Sequence, residues 1–151
     1  MTPNKYEIAE RKAKKIMVWC PDYIRKVFSS KRMYHHLEKH INLSEKEMKR
    51  RVAREKVDVS TFVGNESAIL NLLLQTLLDS VEEIAYYLAD DSKRPWEVSG
   101  ILPSHIKGYC YKCTNHNWDD GPIECTEFKI VINKIKGENG FAILSCYPSL
   151  N

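Results

Sequence analysis

Residues Glu66 to Ala89, ESAILNLLLQTLLDSVEEIAYYLA, decide the fold class. Ile69, Leu70, Leu73, Leu74, Leu77, Leu78, Val81, Ile84, Ala85 and Leu88 recur at three- and four-residue steps almost all round one helix, which predicts burial on most sides. The polar loop Asp90-Asp91-Ser92-Lys93-Arg94-Pro95 ends that helix, and from Trp96 the periodicity becomes strand-like. Trp96 to Val98 and Ile106 to Lys112 read as strands, the second alternating Ile106, Gly108, Cys110 and Lys112 against Lys107, Tyr109 and Tyr111. Asn115 to Pro122 reads as a loop. Phe128 to Ile135 alternates well, Gly137 to Gly140 supplies a hairpin turn, and Phe141 to Tyr147 closes the chain as an apolar strand with Ile143, Ser145 and Tyr147 on one face. Helices first and strands afterwards predict an α+β fold: N-terminal helices followed by a twisted antiparallel sheet.

Upstream, Thr2-Pro3 predicts a helix start, Ile8, Lys12, Lys15 and Trp19 mark a weak face, and Pro21 ends or kinks the helix. A short helical piece follows from Asp22 to Phe28, and Ser29-Ser30-Lys31 reads as a joint. The expected organisation is an N-terminal helical appendage or linker over residues 1–31 and a main domain over residues 32–151. Ser60-Thr61-Phe62-Val63 is β-rich and is punctuated by Gly64-Asn65.

The chain has 151 residues, 43% hydrophobic and 28% charged, which suits one soluble globular domain. Its most apolar piece, Ala68 to Leu78, is too short and too interrupted to span a membrane. The first fifteen residues are charged and lack the apolar region of a secretory signal. A net charge of +3 conceals segregation: residues 1–56 hold 16 Lys and Arg against 7 Asp and Glu, while the rest hold 7 against 13. A basic segment of this kind is a footprint of polyanion binding.

That segment contains Met33 to Arg51, MYHHLEKHINLSEKEMKRR, with three of the five histidines within six residues. Histidine exchanges protons near neutral pH and arginine forks onto phosphate, so the pattern points to chemistry on a phosphodiester. Arg32 to Ile41 predicts a helix with Met33, Leu37 and Ile41 on one face and His36 and His40 on an adjacent line. Ser44 and Glu47 form a capping box for the next helix. There Arg51 lies on the side of Met48 and Val52, whereas Lys46, Lys49 and Arg50 lie outside.

His36 and His40 stand one turn apart, but Glu38 does not directly follow the first of them as a zinc-protease motif needs. Cys110 and Cys113 have the spacing of half a zinc ribbon without a second pair, with His116 available as a further ligand, and buried thiols on strands are the favoured reading. No cofactor is expected. Five cysteines, at 20, 110, 113, 125 and 146, are odd in number and no disulfide framework is required.

Lys39-His40-Ile41, an arginine eleven residues after that histidine (Arg51), Ser60-Thr61-Phe62, a long helix carrying Tyr86-Tyr87 and a last hairpin reading Gly140-Phe141 to Tyr147-Pro148 occur in one order. In these motifs the chain, from about Met33 to Pro148, resembles the bacterial RNase A-like toxin domains. Those are C-terminal effectors of contact-dependent growth inhibition (CdiA) proteins and related polymorphic toxins. The resemblance implies an RNase A-like fold, His40 as catalytic histidine, Arg51 as phosphate-binding arginine, and Ser145 and Tyr147 as a hydroxyl pair. Ser60 and Thr61 would line the cleft, with His36 and Arg50 as further substrate-binding residues. These domains usually carry Thr then Ala where this chain has Ser145 and Cys146, so the hydroxyl is kept and the rotamer-fixing methyl is lost. The cysteine-rich strand and the loop from Asn115 to Pro122 have no place in the family pattern.

The implied activity is a metal-independent ribonuclease, with tRNA one candidate substrate. It would be delivered as part of a larger effector into the cytoplasm of a competing bacterium, neutralised by a cognate immunity protein and monomeric when free. A non-catalytic nucleic-acid-binding module, a nuclease of another toxin fold and a zinc-stabilised domain using Cys110, Cys113, Cys125 and His116 are the alternatives.

Overall fold

The computed structural model describes residues 2, 4–30, 37–114, 121–135 and 140–150. Helix α1 (Lys5–Phe28) starts one residue after Asn4, whose side chain accepts the Glu7 amide at 2.9 Å. Pro3 lies outside the described residues. Of the two outcomes expected at Pro21, an end or a kink, the end does not occur: α1 runs through Pro21. A proline inside a helix costs about 3 kcal/mol, but Ile24 beyond it is fully buried and Tyr23, Val27 and Phe28 pack partly buried on the core. Each apolar side chain so buried contributes about 1.5–3 kcal/mol, so packing outweighs the break.

The inward stripe of α1 is Ala13, Ile16, Cys20 and Ile24, not the line through Ile8, which is 53% exposed. These residues belong to the same buried cluster as Phe62, Leu73, Ile84, Phe128 and Cys146. The boundary expected at residue 31 therefore does not separate two cores. Tyr23 seals the join: its hydroxyl donates to Phe141 O at 2.6 Å and accepts Phe141 N–H at 3.0 Å.

The helix expected up to Ile41 is helical only over Leu37 and Glu38 within the described part, and His40 stands in a turn. Asn42 adopts φ 51° and exchanges hydrogen bonds of 2.9 and 3.0 Å with the backbone of Gly64. Helix α2 (Glu45–Glu55) is capped by Ser44, which accepts Glu47 N–H at 3.1 Å. Its Met48 and Val52 form a small second core with Val59 and Tyr111.

The stretch Glu66 to Ala89 is two helices, α3 (Glu66–Asp79) and α4 (Val81–Ala89). The break falls at Ser80, whose hydroxyl donates to Thr76 O at 2.8 Å and whose amide turns to Leu77 O at 3.1 Å. Serine hydroxyls compete for helix carbonyls in this way. Full burial on α3 is confined to the stripe Ile69, Leu73 and Leu77, with Leu70, Leu74 and Leu78 partly covered.

Among the described residues, six strands form two three-stranded antiparallel sheets rather than one. The first has the order β1 (Val59–Val63), β3 (Lys107–Tyr111), β4 (Ile123–Cys125); the second has β2 (Trp96–Ile101), β5 (Glu127–Lys134), β6 (Phe141–Ser149). Strand β4, at three residues, is too short to display alternation in sequence and was hidden beside the expected loop. With β1 placed between α2 and α3, the elements mix helix and antiparallel sheet as an α+β fold.

A bulge decides what β6 presents. Val131 pairs with Ser145 but Ile132 pairs with Ile143, so Leu144 is the extra residue. A one-residue insertion flips the faces beyond it. Ile143 therefore packs against the core, whereas Cys146 and Pro148 are the buried residues after the bulge and Ser145 and Tyr147 take the opposite face. The expected shared face of Ile143 with the two hydroxyls is thereby corrected.

Candidate active site

On β1 and β3, Ser60 pairs with Cys110 on one face of the sheet; Asp58 directly precedes β1 and Lys112 directly follows β3. This face meets β6, because Gly108 permits close approach: a Cβ there would lie 2.7 Å from Pro148 Cβ and 2.8 Å from Leu102 Cδ1. Between the two sheets opens a cavity of about 380 Å³, walled by Asp58, Ser60, Cys110 and Lys112 from the first sheet, by Ser145, Tyr147, Pro148 and Ser149 from β6, and by Leu150 and His40.

The turn bearing His40 is stitched to β1. Phe62 N–H donates to His40 O at 2.7 Å, Asn42 N–H donates to Phe62 O at 2.7 Å, and the Thr61 hydroxyl accepts Leu43 N–H at 3.0 Å while lying 3.3 Å from His40 O. Nδ1 of His40 stands 3.4 Å from Ser60 O. In the tautomer with the proton on Nδ1, that nitrogen donates to the carbonyl and Nε2 carries the basic lone pair.

The cavity thus brings together four expected residues: His40, Ser60, Ser145 and Tyr147. Thr61 is not a cleft wall; it is 1% exposed and its hydroxyl braces the His40 turn. Arg51 lies off the cavity wall, with Nη1 donating to Lys39 O at 2.8 Å and Nε 3.9 Å from Glu55. Its place is beside the backbone of the His40 turn. Arg50 is exposed and paired with Glu47. His36 lies outside the described residues.

Sequence reading missed Asp58, Cys110, Lys112 and Ser149. The alternation of Cys110 with Lys112 was visible, but nothing local tied that face to Ser60 or to β6. Burial, first, and the Asp58 charge, second, push the Cys110 thiol pKa up, against a smaller opposing pull from Lys112. Cys110 is therefore a neutral wall at neutral pH and not a thiolate nucleophile.

All five cysteines are free thiols. Among the described residues no three His, Cys, Asp or Glu side chains converge as a metal-binding group, and His116 lies outside them. A larger cavity of about 740 Å³ beside α4 is lined by Glu82, Glu83 and Asp90 against one Arg94 and holds none of the expected site residues. Its excess of carboxylates disfavours a phosphodiester.

No family model matches the chain, and no curated protein matches it. Among solved structures, a chain of the crystal structure of a CdiA-CT/CdiI complex from Y. kristensenii 33638 is similar, with 21% sequence identity and a TM-score of 0.61, covering 76% of this chain and 98% of that one. The two chains share a fold.

Proposed function

We propose that this protein is a metal-independent ribonuclease toxin of the contact-dependent growth inhibition type. The observation that carries the reading is the meeting, in one cavity, of His40 with Ser145 and Tyr147, residues about a hundred positions apart that the family resemblance singles out together. The fold shared with the CdiA-CT/CdiI neighbour supports the toxin class. That the neighbour was crystallised as such a complex supports expecting a tight protein partner, a cognate immunity protein, for this chain too.

RNA carries its own nucleophile, the 2′-hydroxyl. Cleavage needs a base at that hydroxyl, a proton for the departing 5′-oxygen and positive charge on the phosphate. In this reading His40 removes the 2′ proton, the 2′-oxygen forms a bond to phosphorus, and the bond from phosphorus to the 5′-oxygen breaks. A hydroxyl of Ser145 or Tyr147 orients the phosphate and hands a proton to the leaving oxygen. The products are a 2′,3′-cyclic phosphate and a 5′-hydroxyl. Arg51, joined to Lys39 O, holds the His40 turn and brings positive charge near it. DNA lacks the nucleophile and is inert. Cellular delivery as part of a larger effector and action in the target cytoplasm complete the proposal.

The test is total RNA incubated in chelator with wild type and with His40→Ala, the fragment ends being identified chemically. Wild type should leave cyclic phosphate ends and the variant should leave RNA intact. Equal cutting by both, or cutting by wild type only on addition of a divalent metal, refutes the mechanism. Salt-dependent binding without any scission would instead establish the non-catalytic module.

A further inference from the structure

The ribonuclease reading requires a cation where the phosphate sits, and the arginine expected to supply it is not on the cavity wall. Among the described residues that form the wall, Lys112 is the one lysine or arginine. Its placement follows from the sheet. Lys112 directly follows β3 and lines the cavity together with Cys110, and Cys110 pairs across to Ser60, whose carbonyl lies against His40. The end of β3 is pinned there, because the next residue, Cys113, donates its amide to Asp58 Oδ1 at 2.8 Å. Lys112 and His40 therefore face one cavity from neighbouring supports.

Asp58 makes the need for this lysine sharper. It stands on the same wall, and a carboxylate beside an incoming phosphodiester sets like charges together in a partly desolvated space. With His40 neutral, as a base must be, the wall without Lys112 would carry net negative charge. An ammonium ion on a flexible stem meets phosphate as a point charge. As the 2′-oxygen attacks, the phosphate goes from one negative charge towards two, so a cation held there binds the transition state more tightly than the substrate.

We propose that Lys112 contacts the non-bridging oxygens of the scissile phosphate and is a catalytic residue of this site. The assignment rests on the ribonuclease reading and adds to it the group that carries the transition-state charge.

The test compares wild type, His40→Ala, Lys112→Gln and Lys112→Arg on one defined single-stranded RNA, with initial rates over a range of substrate concentrations and a thermal melt of each protein. Binding is measured separately in the His40→Ala background across a salt series. Lys112→Gln should lower kcat on the order of 100-fold, as loss of one oxyanion donor does, with an unchanged melting midpoint. Lys112→Arg should restore most of that loss. In the non-cleaving background the Gln substitution should flatten the slope of log K against log salt by about 0.7, the value for one phosphate contact on a single strand. If His40→Ala cuts like wild type, the ribonuclease reading itself falls and this assignment with it. If His40→Ala is inactive while Lys112→Gln keeps wild-type kcat, the ribonuclease reading stands and the assignment of Lys112 is overturned. A loss in Lys112→Gln that comes with a lowered melt, or that Lys112→Arg does not restore, also overturns it.

Discussion

Replacing Gly108 by alanine tests the feature that creates the cleft, the close seating of β6 on the first sheet. The added Cβ would lie 2.7 Å from Pro148 Cβ, 3.0 Å from Pro148 Cγ and 2.8 Å from Leu102 Cδ1, whereas carbon atoms rest at about 3.5–4.0 Å. Leu102 can turn away, but the ring of Pro148 is part of the β6 backbone, so the strand must retreat by about 1 Å to restore ordinary contact. Overpacking of this kind costs about 1–3 kcal/mol. For a chain of this size each kcal/mol lowers the melting midpoint by about 2–4 °C, so Gly108→Ala should melt about 2–12 °C lower. Pro148 sits next to Tyr147 on the cavity wall, and a misplacement of about 1 Å can cost about 100-fold in rate. If the protein is the ribonuclease proposed, RNA cleavage by the folded variant should therefore fall more than its folded fraction does. Thermal melts, and initial rates taken well below the variant's midpoint, measure both. A variant with wild-type midpoint and wild-type rate would show that β6 does not approach β3 as closely as the geometry requires.

Tyr23→Phe removes the hydroxyl that both donates to and accepts from the Phe141 backbone. Two part-buried backbone groups lose their partner at about 1–2 kcal/mol each, so a urea titration should show destabilisation of about 2–4 kcal/mol, and a change below about 0.5 kcal/mol would mean that α1 is not sealed to β6. Alkaline pH should also weaken the fold. Burial pushes the thiol pKa of Cys20 up to about 11 and those of Cys125 and Cys146 up to about 12, from an ordinary 9.0. The folded chain then holds protons that the unfolded chain releases, so the stability these thiols contribute is complete below about pH 9 and is lost as pH rises towards 12. Under reducing conditions the urea midpoint should fall across that window and fall less steeply in Cys146→Ala; equal slopes in the two proteins would contradict the burial of Cys146.

Local pattern carried much of the architecture. The stripe from Ile69 to Leu77, the cap at Ser44 and the alternation of β5 all obey short-range rules, which is why they are legible in the sequence. The errors fall where tertiary contacts override a local rule. Pro21 should stop a helix, yet burial of Ile24 and Tyr23 carries α1 past it. Ser80 reads as one more turn of a long helix, yet its hydroxyl takes a carbonyl and the helix divides. In the candidate site, motif order points to His40, Ser145 and Tyr147, whereas Thr61, expected at the cleft, is buried with its hydroxyl on the His40 turn.

The sequence by itself determined the longer helices and strands, because periods of 3.6 and 2 residues are properties of a few neighbouring side chains. It also put forward the histidine and the two hydroxyls. Only the tertiary structure decided which strand lies against which, and so which side chains share a wall. The bulge at Leu144 separates Ser145 and Tyr147 from the face of Ile143, and the pairing of β1 with β3 brings Asp58 and Lys112, at the strand ends, to one cavity with His40. Register depends on contacts between residues far apart in the chain, and a slip of one residue exchanges every side chain between core and cleft.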